Sequence, residues 1–282
     1  MIAPKTICLL GSIVSKRKRS FVERESCLME SLTKQEILDY VNVSIIQPFY
    51  QLRLSRLGEL SLHDILKRKN PYLFKAKNIT TAQDFVVELL QAHLSAQEET
   101  FFGTYLEQLA IFICSRVYGG FKSSAAGIDL EFEKDGIRYI IAIKSGPNWG
   151  NSDQIGRMRS NFKAAKKTLG TNTSKTNFVA VNGCCYGRDS RPDKGDYLKL
   201  CGQEFWAFIS GDDELYIRII EPLDEEAKHK DEEFKIAYSR KINMLTSQFL
   251  DEFCDVGNID WVKLLKFVSS KNKPTKVREE MP

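Results

Sequence analysis

The chain has 282 residues, 43% of them hydrophobic, and its 41 basic and 37 acidic side chains leave a net charge of +4. It is long enough to bury the core of one large domain, and a net charge this small is no argument for a nucleic-acid partner. The seven cysteines, an odd number without a clear secretory signal, predict free thiols in a reducing cytoplasm. Their positions do not have the spacing of a zinc site.

A flexible N-terminal extension is expected over residues 1–30. Its apolar run, residues 6–14, is too short to span a membrane, so no membrane association is expected. That run precedes the basic cluster at residues 16–19, which is the reverse of the order in a secretory signal. A single domain is expected over residues 31–270, followed by a frayed tail over residues 271–282.

The first part of this domain, residues 31–122, is predicted to be helical. Thr33 and Glu36 have the spacing of a capping box at the start of the first helix. The last helix is expected to end at the Gly119–Gly120 pair. Helices are expected near residues 33–48, 60–69, 80–98 and 102–118.

Glu107 is an isolated carboxylate in the last of these helices. Its neighbours at helical spacing are apolar, and no other acid occurs between residues 101 and 128. A buried carboxylate is costly unless it is paired or binds a metal ion. Glu107 is therefore a candidate functional group. The alternative is that its head reaches solvent or pairs with Arg116 or Lys122.

Residues 127–146 are predicted to form a β-hairpin. The dipeptide Asp135–Gly136 between two β-rich runs is typical of a two-residue type I′ turn. The register of such a turn sets Glu133 opposite Arg138, and we expect a modest cross-strand charge pair there.

The same register sets Asp129 opposite Ala142. Because side chains alternate along a strand, Asp129, Ala142 and Lys144 point to one face of the hairpin. The opposite face carries an apolar stripe suited to a core. The hairpin thus gathers an acid and a lysine on one face, and an exposed ion pair on an ordinary hairpin is the alternative interpretation.

A basic helix is predicted directly after the hairpin. Residues 154–188 contain no acid, and the helix combines an apolar stripe with a basic face. Such a face fits a track of phosphate contacts, although a merely solvated face is the alternative. A strand near residues 176–183, a turn-rich loop at 184–197 and helices near 202–210, 213–221, 226–254 and 259–268 are expected to follow.

The hairpin sequences GIDLEFE and IIAIKSG resemble the catalytic core of the PD-(D/E)XK nuclease superfamily, in which an acid on one strand and an acid-x-lysine on the next bind a divalent metal ion. The segments KSGPNWGNSDQIGRM, VNGCCYGRDSRPDKGDY, CGQEFWAFISGDDELYIRIIEPL and IDWVKLLKF extend the similarity. Across residues 33–269 the chain resembles bacterial type II restriction endonucleases. The resemblance implies an α/β fold with a mixed central β-sheet flanked by helices, and helix-rich N- and C-terminal parts.

The resemblance also divides the expected endonuclease domain. It implies a helical part at residues 31–122, a catalytic core at 123–185, and a recognition loop with C-terminal helices at 186–270. The implied activity is hydrolysis of DNA phosphodiester bonds at a specific short sequence. The implied cofactor is Mg²⁺, with Mn²⁺ as a substitute.

The implied catalytic residues are Asp129, Lys144 and Glu107. The implied metal ligands are Asp129, Glu107 and the backbone carbonyl of Ile143, since Mg²⁺ prefers oxygen ligands. Ala142 departs from the superfamily pattern because it stands where a second acid is usual, and alanine cannot bind a metal ion. Glu107 matches the position of a glutamate that other members carry on the helix before the first catalytic strand.

Asp153, at the start of the basic helix, is the second candidate for the missing acid. An acid in a first helical turn is also favoured by the helix dipole alone, so Glu107 is preferred. Glu131 is a further candidate if Glu107 is structural.

Double-stranded DNA is the implied partner, and the candidate contacts fall into three segments. They are Asn148, Trp149 and Asn151 in the loop after the catalytic strand, Gln154, Arg157, Arg159, Lys163 and Lys166 on the basic helix, and Arg188, Arg191 and Lys194 in the turn-rich loop. Asn151 or Ser152 is also expected to cap the basic helix.

Two other functions share these features. A structure-selective repair nuclease of the same superfamily would use the same hairpin, and a degenerate DNA-binding or specificity subunit would account for Ala142. A palindromic site has two scissile phosphates and the chain has one constellation, so a homodimer on DNA is expected. A heterodimer with a related subunit is the alternative.

Overall fold

The computed structural model describes residues 32–170 and 177–271, and within residues 222–229 it describes the backbone alone. The predicted N-terminal extension at residues 1–30 lies outside the described residues, as does nearly all of the predicted tail. The single domain expected over residues 31–270 stays a prediction.

Two compact units make up the chain. We call them the sheet unit and the helical unit. The described residues of the sheet unit are 32–39, 106–170 and 177–220, and those of the helical unit are 40–105 and 221–271.

Within the described residues, helices both precede and follow the strands of the main sheet. The α-helices are α1 (Lys34–Val41), α2 (Gln47–Glu59), α3 (Leu62–Leu66), α4 (Pro71–Ala76), α5 (Ala82–Tyr118), α6 (Ser152–Gly170), α7 (Gln203–Ser210), α8 (Leu215–Arg218), α9 (Glu221–Phe253) and α10 (Trp261–Ser269), and a π-helix, Asn42–Ile46, joins α1 to α2. None of the described helices is long and apolar enough to cross a membrane.

The capping box predicted at the start of α1 is confirmed. The Glu36 backbone N–H donates to Thr33 Oγ1 at 3.2 Å, and the Thr33 N–H donates to Glu36 Oε2 at 3.0 Å. The helix predicted to end near residue 48 instead continues through the π-helix into α2. Pro48, which lacks an N–H donor, lies directly after this π-helix, so the change in helix geometry falls just before the proline.

Helix α5 replaces two predicted helices with one of 37 residues. The polar run near residue 99 contains no proline, and threonine hydroxyls there bond within the helix. Thr100 Oγ1 donates to the Ala96 carbonyl at 2.9 Å, which keeps the polar side chain compatible with a helix. The helix ends where predicted, since Gly119 has a φ of 67°, a left-handed conformation that glycine adopts without strain.

Four strands form the sheet in the order β1 (Leu130–Lys134), β2 (Ile137–Lys144), β3 (Asn177–Cys184) and β4 (Leu198–Cys201). Strands β1 and β2 are antiparallel, whereas β2, β3 and β4 run parallel to one another. The mixed central sheet flanked by helices is therefore confirmed. The sequence analysis did not predict β4, whose four residues are too few for a period-two pattern. A second, two-stranded sheet pairs β5 (Cys254–Asp255) with β6 (Asn258–Ile259).

The predicted hairpin register is confirmed. Asp135 and Gly136 both have positive φ angles, 54° and 72°, as a type I′ turn requires. Glu133 lies opposite Arg138 in the ladder. The prediction of an ion pair between them is wrong. Arg138 pairs instead with Glu131, with 2.6 Å between Arg138 Nη2 and Glu131 Oε2. Glu131 is only 1% exposed, so it needs a cationic partner more than the exposed Glu133 does.

Helix α6 covers one face of the sheet with the apolar stripe predicted for it. Met158, Phe162 and Ala165 are buried in one cluster with Ile140 and Ala142 of β2. The hairpin face that carries Ala142 is thus packed against a helix. The basic side chains of α6 lie on its other faces and are mostly exposed.

The described cysteines are free thiols, as predicted. They are Cys114, Cys184, Cys185, Cys201 and Cys254. Burial raises the pKa of the Cys114 thiol to about 12, so it packs as a small apolar group. Cys8 and Cys27 lie outside the described residues.

Candidate active site

Asp129 stands one residue before β1, where the hairpin ladder ends. Its backbone N–H donates to the carbonyl of Ile141, the ladder partner of Leu130, at 2.8 Å. The regular ladder therefore ends at the Leu130–Ile141 pair, and the predicted pair of Asp129 with Ala142 is not part of it. The side-chain Oδ2 of Asp129 accepts the Ile143 N–H at 2.7 Å. The N–H and C=O of a strand residue point the same way, so the Ile143 carbonyl faces the same edge as the Asp129 carboxylate.

Glu107 on α5 belongs to the same neighbourhood. Burial raises the pKa of its carboxyl, and the negative charge of Asp129 raises it further. The positive charges of Lys122 and Lys144 act in the opposite direction. The Lys122 Nζ lies 3.8 Å from Glu107 Oε1, too far for a strong hydrogen bond. The charges of Asp129 and Lys144 therefore both act on the Glu107 carboxyl, at the end of the hairpin.

The two cations considered as partners of Glu107 do not form a close ion pair with it. Arg116, one of the two cations considered for it, bonds to Glu36 of α1 instead. Lys122 is 70% exposed in its side chain, whereas Glu107 is 25% exposed. A loose pair with an exposed lysine does not fully compensate a carboxylate that burial disfavours.

Glu131 is already committed to another role. Its Oε2 accepts from both Nε and Nη2 of Arg138, at 3.0 and 2.6 Å, and its Oε1 accepts the Ser123 hydroxyl. A carboxylate bonded in this way supports the hairpin rather than offering free oxygens. Asp153, the other candidate, is exposed in the first turn of α6, where the helix dipole favours an acid.

Lys144 lies beside the Trp149 ring, and the indole N–H of Trp149 belongs to a partly buried hydrogen-bond network. Its Nζ is 5.4 Å from the ring centroid of Trp149. The Trp149 indole N–H donates to Asn182 Oδ1 at 3.1 Å, and Asn182 Nδ2 donates to the Ala142 carbonyl at 3.1 Å. Sequence reasoning missed Asn182, although an asparagine inside the apolar run of β3 was a visible signal.

Residues 35–231 match the family model described as type II restriction endonuclease EcoO109I. The match covers more than half of the 282 residues and includes Glu107, Asp129 and Lys144. The chain belongs to this family of type II restriction endonucleases. It is a site-specific endodeoxyribonuclease, and DNA is its substrate. Among curated proteins, none matches the chain.

Enzymes of this kind generally use divalent metal ions, and the donor atoms at the end of the hairpin fit a hard cation. The available donors are carboxylate oxygens of Asp129 and Glu107 and the Ile143 carbonyl, all oxygen. Burial and the Asp129 charge both raise the pKa of the Glu107 carboxyl, and a bound cation would oppose that rise. Among residues 32–170 and 177–271, no three His, Cys, Asp or Glu side chains cluster as a ligand set, so carbonyl and substrate oxygens are needed as well.

The loop after β2 uses two of the candidate DNA contacts to build α6. The Gln154 N–H donates to Asn151 Oδ1, and the Asn151 N–H donates to Gln154 Oε1, both at 3.0 Å. The predicted cap by Asn151 is therefore confirmed as a reciprocal capping box. Asn148 is exposed in the same loop of the endonuclease.

The basic candidates differ in how far they are engaged within the endonuclease. Arg159 pairs with Asp196 at 3.4 Å. Lys194 lies 2.9 Å from Asp189, and hydrogen bonds from Lys194, the Arg191 N–H and Lys199 lower the pKa of the Asp189 carboxyl to about 2. The exposed cations that carry no such pair are Arg157, Lys163, Arg188 and Arg191, and Lys166 is partly exposed.

Proposed function

We propose that this restriction endonuclease hydrolyses DNA at one short sequence in a Mg²⁺-dependent site formed by Asp129, Glu107 and Lys144. The observation that carries the proposal is that Asp129, held by the Ile143 N–H where β1 and β2 end, lies close enough to Glu107 of α5 for its charge to raise the pKa of the Glu107 carboxyl. Glu107 then supplies the acid that Ala142 lacks, from a helix instead of from the neighbouring strand.

Each residue has a distinct role in this proposal. Asp129, Glu107 and the Ile143 carbonyl hold the cation, and the Ile143 N–H fixes the orientation of the Asp129 carboxylate. A bound Mg²⁺ makes a water more acidic and offsets charge on the phosphate; Mn²⁺ is expected to replace it. Lys144 orients the attacking water and stabilises negative charge on the reacting phosphate as a compact cation on a rigid strand.

DNA binding is assigned to the exposed cations of the sheet unit. Arg157 and Lys163 on α6 contact phosphates, which gives affinity without sequence preference. Arg188 and Arg191 in the loop after β3 are suited to base edges, because a guanidinium recognises guanine bidentately. Lys194 instead braces that loop through Asp189.

The activity can be tested by incubating the protein with phage-sized DNA and with supercoiled plasmid DNA. With Mg²⁺ we expect discrete fragments, and with EDTA intact DNA. Asp129→Asn and Lys144→Ala should each abolish cleavage while DNA affinity changes little, and Asp153→Asn, a matched acid in the adjacent helix, should cut like wild type. Smeared products would contradict sequence specificity, and full activity in Asp129→Asn would contradict the site.

The proposed assembly is a homodimer on DNA, because one chain carries one constellation and a two-fold site has two scissile phosphates. A pure preparation should convert supercoiled plasmid to linear DNA. Products that stop at nicked circles would instead indicate a chain that cuts one strand beside a different partner.

A further inference from the structure

We propose that Trp149 and Asn182 are positioning residues that hold the Lys144 ammonium at the reacting phosphate. The inference rests on the proposed function, since it takes Lys144 as the catalytic cation. It reassigns Trp149, which the sequence suggested as a DNA contact, to a role inside the protein.

The indole ring of Trp149 restricts where the Lys144 ammonium can lie. The Nζ to ring-centroid distance of 5.4 Å is within the range of a cation–π interaction. Lys144 is the last residue of β2, so its backbone is fixed while its long side chain is free to rotate. A ring face beside the ammonium reduces that freedom without neutralising the charge, which a carboxylate partner would do.

Asn182 in turn fixes the indole. It is 1% exposed, and both ends of its amide are used: Oδ1 accepts the Trp149 N–H, and Nδ2 donates to the Ala142 carbonyl. A buried amide with both ends satisfied has one favourable orientation. The indole is thereby tied to two strands of the sheet, although it lies in a loop.

This arrangement explains why a small residue, Ala142, occupies this position of β2. Ala142 and Asn182 are directly paired on neighbouring strands, and Trp149 packs against the buried cluster that contains Ala142. A long acid at this position would compete with the indole and the Asn182 amide for the same space. Alanine therefore leaves space for the Trp149 indole beside Lys144, while Glu107 of α5 supplies the acid.

Single-turnover cleavage and DNA affinity, measured in parallel, test this assignment. Trp149→Leu removes the ring, and we expect its cleavage rate to fall about ten- to thirtyfold, as loss of a partly desolvated cation–π contact implies. Its DNA affinity should stay within about twofold. Trp149→Phe keeps a ring without the N–H and should recover much of the rate. Ser152→Ala, three residues after Trp149 and exposed, is the matched control and should cut normally.

A double-mutant cycle tests the link to Asn182. Trp149→Phe should slow cleavage several-fold in the wild-type protein but have no effect in an Asn182→Ala background, where the acceptor is already gone. This cycle also decides the matter if Trp149→Leu does not fold. Equal effects in both backgrounds, or wild-type rates in Trp149→Leu, would overturn the inference.

Two further outcomes separate this inference from the proposed function. Reduced DNA affinity with an unchanged single-turnover rate in Trp149→Leu would make Trp149 a DNA contact and overturn its positioning role. Full cleavage by Lys144→Ala would overturn the proposed function itself, whatever Trp149→Leu does.

Discussion

The two units of this endonuclease differ in how completely their buried polar groups are hydrogen-bonded. In the sheet unit, the buried side chains of Glu131 and Asn182 each have partners at both ends. In the described part of the helical unit, several buried polar atoms have no hydrogen-bond partner. They are Asn42 Oδ1, His93 Nε2, Gln97 Oε1, Tyr238 Oη and Thr246 Oγ1.

This difference indicates where the sequence is constrained by chemistry. A buried polar atom without a partner costs about 1–3 kcal/mol, so the helical unit has room for stabilising substitutions. In the sheet unit the polar groups orient strands and side chains at the end of the hairpin, and we expect their removal to be costly.

The largest effect on stability is expected at Glu131. Glu131→Ala leaves the Arg138 guanidinium and the Ser123 hydroxyl without their carboxylate, and loss of one partner of a buried pair costs about 3–5 kcal/mol. Urea unfolding should report it. The control is Glu133→Ala, an exposed acid on the same strand, which should change the free energy of unfolding by less than about 0.5 kcal/mol. Similar losses in both variants would contradict the contrast.

His93 should make the helical unit sensitive to acid. Burial lowers the pKa of its imidazole, and the charges of Lys69 and Arg68 lower it further. As pH falls below about 6.5, His93 therefore binds a proton in the unfolded state before the folded state, and stability falls with pH by at most about 1.4 kcal/mol per unit. His93→Leu should flatten the stability profile between about pH 6.5 and 5. An unchanged slope would show that another group titrates there.

Removing a single hydroxyl should change the stability in opposite directions in the two units. Thr246→Val deletes a buried, unpaired Oγ1 in the helical unit and should stabilise it by about 1 kcal/mol. Ser123→Ala deletes a hydroxyl that donates to Glu131 in the sheet unit and should destabilise it by about the same amount. Thermal melts of both variants test the pair, and the same sign in both would contradict the account.

The smallest expected effect concerns DNA affinity. Lys163→Ala on α6 should weaken binding to all sequences alike and reduce the slope of log affinity against log salt by about 0.9. Lys235→Ala, in the helical unit and paired with Asp231 and Glu232, should leave the slope unchanged. Equal slopes for the two variants would show that the basic face of α6 does not track phosphates.

The sequence predicted those parts of the site that follow from local rules. The turn at Asp135–Gly136 determines the hairpin register, and that register brings Asp129 to the end of β2 without knowledge of the rest of the fold. The capping boxes at Thr33 and Asn151 follow in the same way from residue spacing.

Features set by burial and by contacts between separate elements escaped prediction. Arg138 pairs with Glu131 and not with its cross-strand neighbour Glu133, because only the buried acid needs compensation. Strand β4 exists because β3 offers it an edge, and its own four residues carry too little pattern. Asn182 became a candidate only when its amide was seen between Ala142 and Trp149.

The central claim is that Glu107 replaces the acid missing at Ala142, and the Mg²⁺ dependence of cleavage tests it most directly. Glu107→Gln preserves shape and removes the charge, so it should shift half-maximal cleavage to higher Mg²⁺ and lower the maximal rate by about 100-fold or more. Glu99→Gln, an exposed acid on the same helix, is the matched control and should behave as wild type. If Glu107→Gln cleaves like wild type at every Mg²⁺ concentration, Glu107 is structural and the claim is wrong.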